Sequence, residues 1–207
     1  MMMMTMATAS LTSKKKVLRK SLSSTLRSLS QDEIRTQSTA ILERVLSTQW
    51  FVRANTISCY LSMPAGEVDT SAITAAILHS GKNLFVPKVD PALAGGMDML
   101  RILDEEDLDA LPSGVWGIKE PTFQYRDAPR TKGVAFDRSH ARLGHGKGYY
   151  DRFLSSYKSL SSTRGHTKAL FVGLALREQI LGSGQVPVGE SDVLVDVVVT
   201  PDETIIA

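Results

Sequence analysis

The segment Arg142-Leu-Gly-His-Gly-Lys-Gly-Tyr-Tyr-Asp151 carries the densest chemistry in the chain. Glycines at alternate positions, Gly144, Gly146 and Gly148, let backbone N–H groups converge on an anion, and a helix starting just beyond them would add its positive end. Lys147 would bring a mobile ammonium to phosphate oxygens, Arg142 a planar fork, and Asp151 a hard oxygen ligand suited to magnesium. The outline is that of a phosphate site. It is not a Walker loop, because the Gly-x-x-x-x-Gly-Lys-Ser/Thr spacing is absent. Taken alone, the segment reads equally as an ordinary tight turn.

Positioning such a loop needs a sheet and helices around it, and the hydrophobic pattern supplies both. From Lys14 the spacing of Leu18, Leu22, Leu26 and Leu29 predicts a helix with a basic first turn. Ser30-Gln-Asp-Glu33 has the form of a capping box, opening a second helix marked by Ile34, Ile41, Leu42, Val45 and Leu46. Strands are expected at Thr56–Ser62, Asn83–Pro87, Met97–Ile102, Ala169–Leu176 and Val193–Thr200, with a helix at Thr70–Ser80 ended by Gly81. The α-α-β-α-β order predicts a mostly parallel sheet flanked by helices. The acidic run from Asp104 to Asp109 reads as a solvated face.

Composition bounds the rest. The chain has 207 residues, 43% of them apolar and 22% charged, enough for one packed domain and too little charge for a disordered chain. A net charge of +2 creates no global field calling for nucleic acid or an anionic membrane. The single cysteine, Cys59, has no internal disulfide partner and reads as a small buried hydrophobe, and the four histidines lack zinc-ligand spacing. Apolar runs such as Ala169–Leu176 fall far short of the roughly 20 residues that span a bilayer. Residues 1–13 carry no charged side chain and read as a disordered extension ahead of one domain over 14–207. They have neither a basic signal n-region nor transit-peptide arginines, which favours the cytoplasm over a mitochondrial alternative.

Several motifs in order give the sequence a resemblance to the 5-formyltetrahydrofolate cyclo-ligase (methenyltetrahydrofolate synthetase) family. They are Lys15-Lys-Val-Leu-Arg19, Tyr60-Leu-Ser-Met63 with Glu67, Met97-Asp-Met-Leu-Arg101, Trp116-Gly-Ile, the run from Gly133 to Arg152, and Gln185-Val-Pro-Val with Asp192. The resemblance implies a three-layer α/β/α domain with a mostly parallel sheet. It also implies an ATP- and magnesium-dependent cyclisation of 5-formyltetrahydrofolate to 5,10-methenyltetrahydrofolate by a monomer. Carried over by position, it assigns ATP contacts to Lys15, Lys16, Val17, Leu18 and Arg19 and to Arg142, Leu143, Gly144, His145, Gly146, Lys147, Gly148, Tyr149 and Tyr150. Folate contacts fall on Leu61, Met63, Glu67 and Trp116 and on His145 to Tyr149. Asp151 and Asp192 would hold Mg2+, with Lys147, Arg142 and Tyr149 as the catalytic groups. Without the resemblance, Lys15 to Arg19 is a solvated basic helix end, Leu61 and Met63 are core residues, Trp116 is a surface plug, and Asp192 is a loop carboxylate.

Departures from the family pattern keep a second reading open. Where an apolar strand is expected before Gly133, the sequence has the polar run Asp127-Ala-Pro-Arg-Thr-Lys132, so one strand of the domain is missing. His145 stands where arginine is expected, and the turn at Pro64-Ala-Gly66 bears on the alignment of Glu67. The alternative is a shortened, catalytically impaired variant that only binds folate or nucleotide. A nucleic-acid module using Lys14 to Lys20 is disfavoured by the near-neutral charge and the lack of interleaved aromatics.

Overall fold

The computed structural model describes residues 2–89, 96–114, 117–122, 135–137, 142–143, 148–155 and 169–207. Helix α1 (Met2–Ser28) is longer than the leucine spacing predicts, and its helical backbone crosses the boundary expected at Lys14. Leu11, Lys15, Leu18, Leu22 and Leu26 recur every three or four residues and form its inward stripe. Leu22 and Leu26 are buried, while Val17 projects into solvent.

The capping box forms as the sequence predicts. Ser30 Oγ accepts the Glu33 N–H at 3.2 Å, and Glu33 Oε2 accepts the Ser30 N–H at 2.8 Å, opening α2 (Gln31–Ser47). The Ser30 hydroxyl, donating to the Glu33 carboxylate, holds that carboxyl below its ordinary range. A short α3 (Gln49–Arg53) follows, and β1 (Thr56–Ser58) then enters the sheet. β1 is shorter than expected because the Tyr60 carbonyl leaves the ladder to accept the Thr70 hydroxyl at 2.6 Å, bending the chain toward α4 (Ser71–His79). Gly81, at φ +68°, ends α4: its N–H reaches Leu78 O at 2.9 Å and the Lys82 N–H reaches Ile77 O at 3.2 Å. That bond pair closes a helix with a left-handed residue, which glycine adopts without steric cost.

β2 (Asn83–Val89) lies parallel to β1 and antiparallel to β3 (Met97–Ile102). The acidic run folds as α5 (Glu105–Asp109), capped by Asp104 and with no buried residue. β4 (Ala135–Asp137) pairs antiparallel with β5 (Arg142–Leu143), and a helix over residues 149–155, here α6, follows. Beyond it come β6 (Val172–Leu174), a 3-10 turn at Arg177–Gln179, β7 (Ile180–Leu181), β8 (Val197–Val199) and β9 (Thr204–Ile206). β7 lies parallel to β4, while β8 is parallel to β6 and antiparallel to β9.

The mostly parallel sheet expected from the sequence is therefore corrected. Among the described residues there are three small sheets, each joining one parallel pair to one antiparallel pair. The reason lies in the connections: a parallel neighbour needs a crossover of about a dozen residues or more. β3 follows β2, and β9 follows β8, by far less. The Thr200–Glu203 turn closes the second of these links, with the Thr200 N–H donating to Glu203 O at 2.9 Å. The polar run at 127–132 and Gly133, where a strand is expected to be missing, lie outside the described residues.

Alternating side chains put the two faces of the strands into different cores. Leu84, Val86, Val197 and Val199 join Ile41, Val45, Ile73 and Ile77 of α2 and α4. On the opposite faces, Phe85, Met97 and Met99 pack with Tyr149, Tyr150 and Phe153 of α6, and Val198 packs with Leu154, Phe171 and Val195. The C-terminal turn is pinned from outside. Arg177 forms a two-pronged ion pair with Asp202 at 2.7 Å on each arm, and Arg44 of α2 donates to Pro201 O at 2.9 Å.

Two predictions follow from these contacts. Ser30→Ala should cost about 1 kcal/mol of unfolding free energy in urea titration, the usual value of a lost N-cap. The Arg177 guanidinium, hydrogen-bonded to Asp202, holds that carboxyl below its ordinary range. A depressed pKa contributes stability that is present at neutral pH and lost as pH falls through the folded value. Thermal melts from neutral pH into the acid range should show Asp202→Asn destabilised at neutral pH, its deficit narrowing as the pH drops. Because the pair is solvent-exposed, the effect should be modest.

Candidate functional site

The basic middle of α1, the chain around the glycine loop and the loop at 189–193 meet in space. Leu18 and Leu22 of α1 pack with Leu143 and Val186, seating the helix against β5 where the glycine loop begins. One turn earlier, Lys15 Nζ reaches both carboxylate oxygens of Asp192, at 2.7 and 2.5 Å. Both side chains are largely withdrawn from water, at 14% and 16% relative exposure. Asp192 Oδ2 also accepts the Gly189 N–H at 2.6 Å, so its own loop orients the carboxylate. The next residue, Val193, donates its N–H to Asp151 Oδ1 at 3.3 Å. Asp151 and Asp192 therefore flank a single peptide link, although they stand on α6 and on a distant loop.

This donor set suits magnesium. Mg2+ takes one or two protein carboxylates and completes its octahedron with water and phosphate oxygens. Among the described residues no three His, Cys, Asp or Glu side chains converge, so the protein's share would be the two carboxylates. Of the five α1 residues expected to face ATP, Lys15 and Arg19 lie four apart on one side of the helix, whereas Lys16 and Val17 are exposed. Successive residues of a helix point about 100° apart, so Lys15 and Arg19 share a direction that Lys16 and Val17 do not. Arg142 is placed by its backbone in β5. Gly144, His145, Gly146, Lys147 and Trp116 lie outside the described residues.

Past the loop, Gly148 has φ +65° and leads into α6. The Arg152 guanidinium lies 5.2 Å from the centre of the Tyr149 ring, a cation–π stack. Gly96 lies against both groups: a Cβ there would fall 2.6 Å from Tyr149 Cε1 and 3.3 Å from Arg152 Nη2. Gly96 carries no motif signal, and its part follows only from this packing. Arg152 closes the Gly133–Arg152 motif, and its spacing of three from Tyr149 places the two on one helix face.

Three of the residues expected to meet folate, Leu61, Met63 and Glu67, divide between two clefts that share Ser62. Met63 and Glu67 line one of about 280 Å3 together with Ile34 and Arg35. Leu61 lines another of about 350 Å3 with Thr74, Leu108 and Gly117, the neighbour of Trp116. The Pro64–Gly66 turn folds Glu67 back: Gly66 is at φ +74°, and Glu67 Oε2 accepts the Met63 N–H at 3.0 Å. Glu67 is only 5% exposed, so its carboxylate belongs to the cleft that Met63 lines. Gly66 lies against Leu26 of α1, where a Cβ would sit 3.6 Å from Leu26 Cβ. Lys15 and Leu26 are eleven residues apart, about 16 Å along the helix axis. A single helix therefore carries the carboxylate-bound lysine at mid-length and abuts the Glu67 turn near its C-terminal end.

The sequence model of the 5-formyltetrahydrofolate cyclo-ligase family matches residues 11–201. The chain is 36% identical over 202 residues to a probable 5-formyltetrahydrofolate cyclo-ligase of Caenorhabditis elegans, covering 93% of this chain and 95% of that one. It is 33% identical to the 5-formyltetrahydrofolate cyclo-ligase of Mus musculus, covering 95% and 98% of the two chains. The NMR structure of Aquifex aeolicus 5,10-methenyltetrahydrofolate synthetase superposes with a TM-score of 0.74 at 30% identity, over 93% of this chain and 92% of that one. The chain belongs to the 5-formyltetrahydrofolate cyclo-ligase family, a family of ligases.

Proposed function

We propose that the protein closes 5-formyltetrahydrofolate to 5,10-methenyltetrahydrofolate at the expense of ATP, with magnesium, as a cytoplasmic monomer with a three-layer α/β/α architecture. The observation that best supports this reading is the meeting of Lys15, Asp192 and Asp151 beside the chain entering and leaving the glycine loop. The reaction needs a triphosphate neutralised, a formyl oxygen aligned with the γ-phosphorus, and water kept away.

In the proposed sequence the formyl oxygen attacks the γ-phosphorus, ADP leaves, and N5 carries an iminium phosphate. N10 then adds to the activated carbon and phosphate departs as the ring closes. Phosphorylation turns a poor leaving group into a good one. Lys147 and Arg142 neutralise charge on the transferring phosphoryl group, the glycine-loop N–H groups hold its oxygens, and Lys15 and Arg19 approach the phosphates from α1. Tyr149, stacked by Arg152 and backed by Gly96, offers a fixed ring edge to the folate. Leu61, Met63 and Trp116 give it apolar contact, and Glu67 pairs with pterin N–H donors. Asp151 and Asp192 would hold Mg2+, which supplies charge stabilisation on the phosphates when bound.

The test is the appearance of the methenyl product, followed by absorbance, with ATP, magnesium and 5-formyltetrahydrofolate. Product is expected, and Lys147→Ala should slow turnover about a hundredfold, the usual size of one lost transition-state stabiliser. Folded protein that binds ATP or folate but forms no product would establish the impaired variant instead, as the polar run at 127–132 suggests. Undiminished turnover in Lys147→Ala would remove the glycine loop from the mechanism.

A further inference from the structure

Lys15 is out of place by composition. It sits in the middle of the inward stripe of α1, with Leu11 one turn before it and Leu18 and Leu22 one and two turns after. At such a position a lysine needs a fixed anion or a route to water. It takes the anion: its ammonium lies on both oxygens of Asp192. The docking is not electrostatic alone. One turn earlier on the same face, Leu11 Cδ2 lies 2.7 Å from where a Cβ at Gly189 would stand, so the Gly189–Asp192 loop receives α1 through two adjacent turns. The loop is shaped to the helix, and the helix presents a charge to it.

The carboxylate that Lys15 occupies is one of the two proposed for magnesium. A metal ion and an ammonium cannot both lie on the oxygens of one carboxylate without strong repulsion. We propose that Lys15 is a positioning residue that serves as resident counter-ion of Asp192 before ligands arrive, and that it is exchanged for magnesium when the nucleotide enters. Mg2+ takes over Asp192, and the released ammonium turns to the phosphates arriving with the metal. The exchange keeps every charge paired at each stage, which matters at a site this withdrawn from water. It also makes metal and nucleotide binding mutually dependent: metal alone must evict Lys15 with nowhere to send it, whereas metal with triphosphate gives the lysine a new partner. This inference rests on the proposed roles of Asp192 and the nucleotide and adds the part played by Lys15.

The experiment measures Mn2+, a magnetic stand-in for Mg2+, by the loss of its free EPR signal on titration into full-length protein, with and without a non-hydrolysable ATP analogue, the loss caused by the analogue alone, which itself chelates Mn2+, being subtracted. The proteins are wild type, Lys15→Met, Asp192→Asn and the double variant, each shown to be folded by circular dichroism and urea titration. Methionine keeps the length of the lysine stem and its packing between Leu11 and Leu18. Wild type should bind Mn2+ weakly alone and far more tightly with the analogue. Lys15→Met should bind Mn2+ alone at least about tenfold more tightly than wild type and show a smaller gain from the analogue. Adding Asp192→Asn to Lys15→Met should erase that increase. If Lys15→Met without nucleotide binds Mn2+ no better than wild type, while wild type still binds it with the analogue, the exchange is overturned and the metal assignment stands. If no protein binds Mn2+ even with the analogue, the metal assignment and the exchange fall together. Should Lys15→Met fail to fold, Lys15→Gln, which keeps a polar head, replaces it with the same expected increase.

Discussion

The structure turns on one ion pair placed where water is scarce. Lys15 and Asp192 are separated by 177 positions in sequence. Their contact fixes how α1 lies on the rest of the molecule at the point where nucleotide chemistry is proposed. A surface pair would contribute little. Here the lysine interrupts an apolar stripe and the carboxylate is already oriented by the Gly189 N–H, so removing either partner would strand a charge in a poor solvent for it. The packing of Leu18 and Leu22 on Leu143 and Val186 completes the junction. Together these contacts bring the basic stretch of α1, the chain entering the glycine loop and the two carboxylates into one neighbourhood.

The other constraint is that the strands are covered on both faces. β2 sends Leu84 and Val86 toward α2 and α4 and Phe85 toward α6, and β8 divides Val197 and Val199 from Val198 in the same way. Because α6 is both the cover of one face and the helix that follows the glycine loop, the packing that stabilises the fold also aims Tyr149 and Asp151. Tyr149 belongs at once to a core cluster and to the candidate site. The chain leaving the glycine loop is thereby anchored by apolar burial, which is insensitive to charge.

Much of this was legible in the residues. The leucine spacing of α1, the capping box at Ser30 and the glycine after α4 each have a local cause, and each appears where that cause predicts. Asp151 accepts the N–H of Val193, the neighbour of Asp192. What escaped was everything decided by distant partners. The pairing of Lys15 with Asp192 has no local signature, and Lys15 read as one of several solvated lysines. The mixed sheets escaped because the direction of a strand depends on which neighbour it finds, and the valines of β8 look alike in either direction. The division of Leu61 from Met63 and Glu67 into two clefts follows from the turn at Gly66, whose positive φ becomes evident only once Glu67 has bonded back to Met63.

β8 has a consequence in time. Its three valines close two cores at once, and it is the partner of both β6 and β9. On a ribosome the chain emerges from its N-terminus, so α2, α4, β1 and β2 are made well before the residues that cover Ile41 and Ile77 from the far side. Domains of high sequence separation cannot condense until their last long-range contact is available. The growing polypeptide must hold half a core open until β8 emerges to close it.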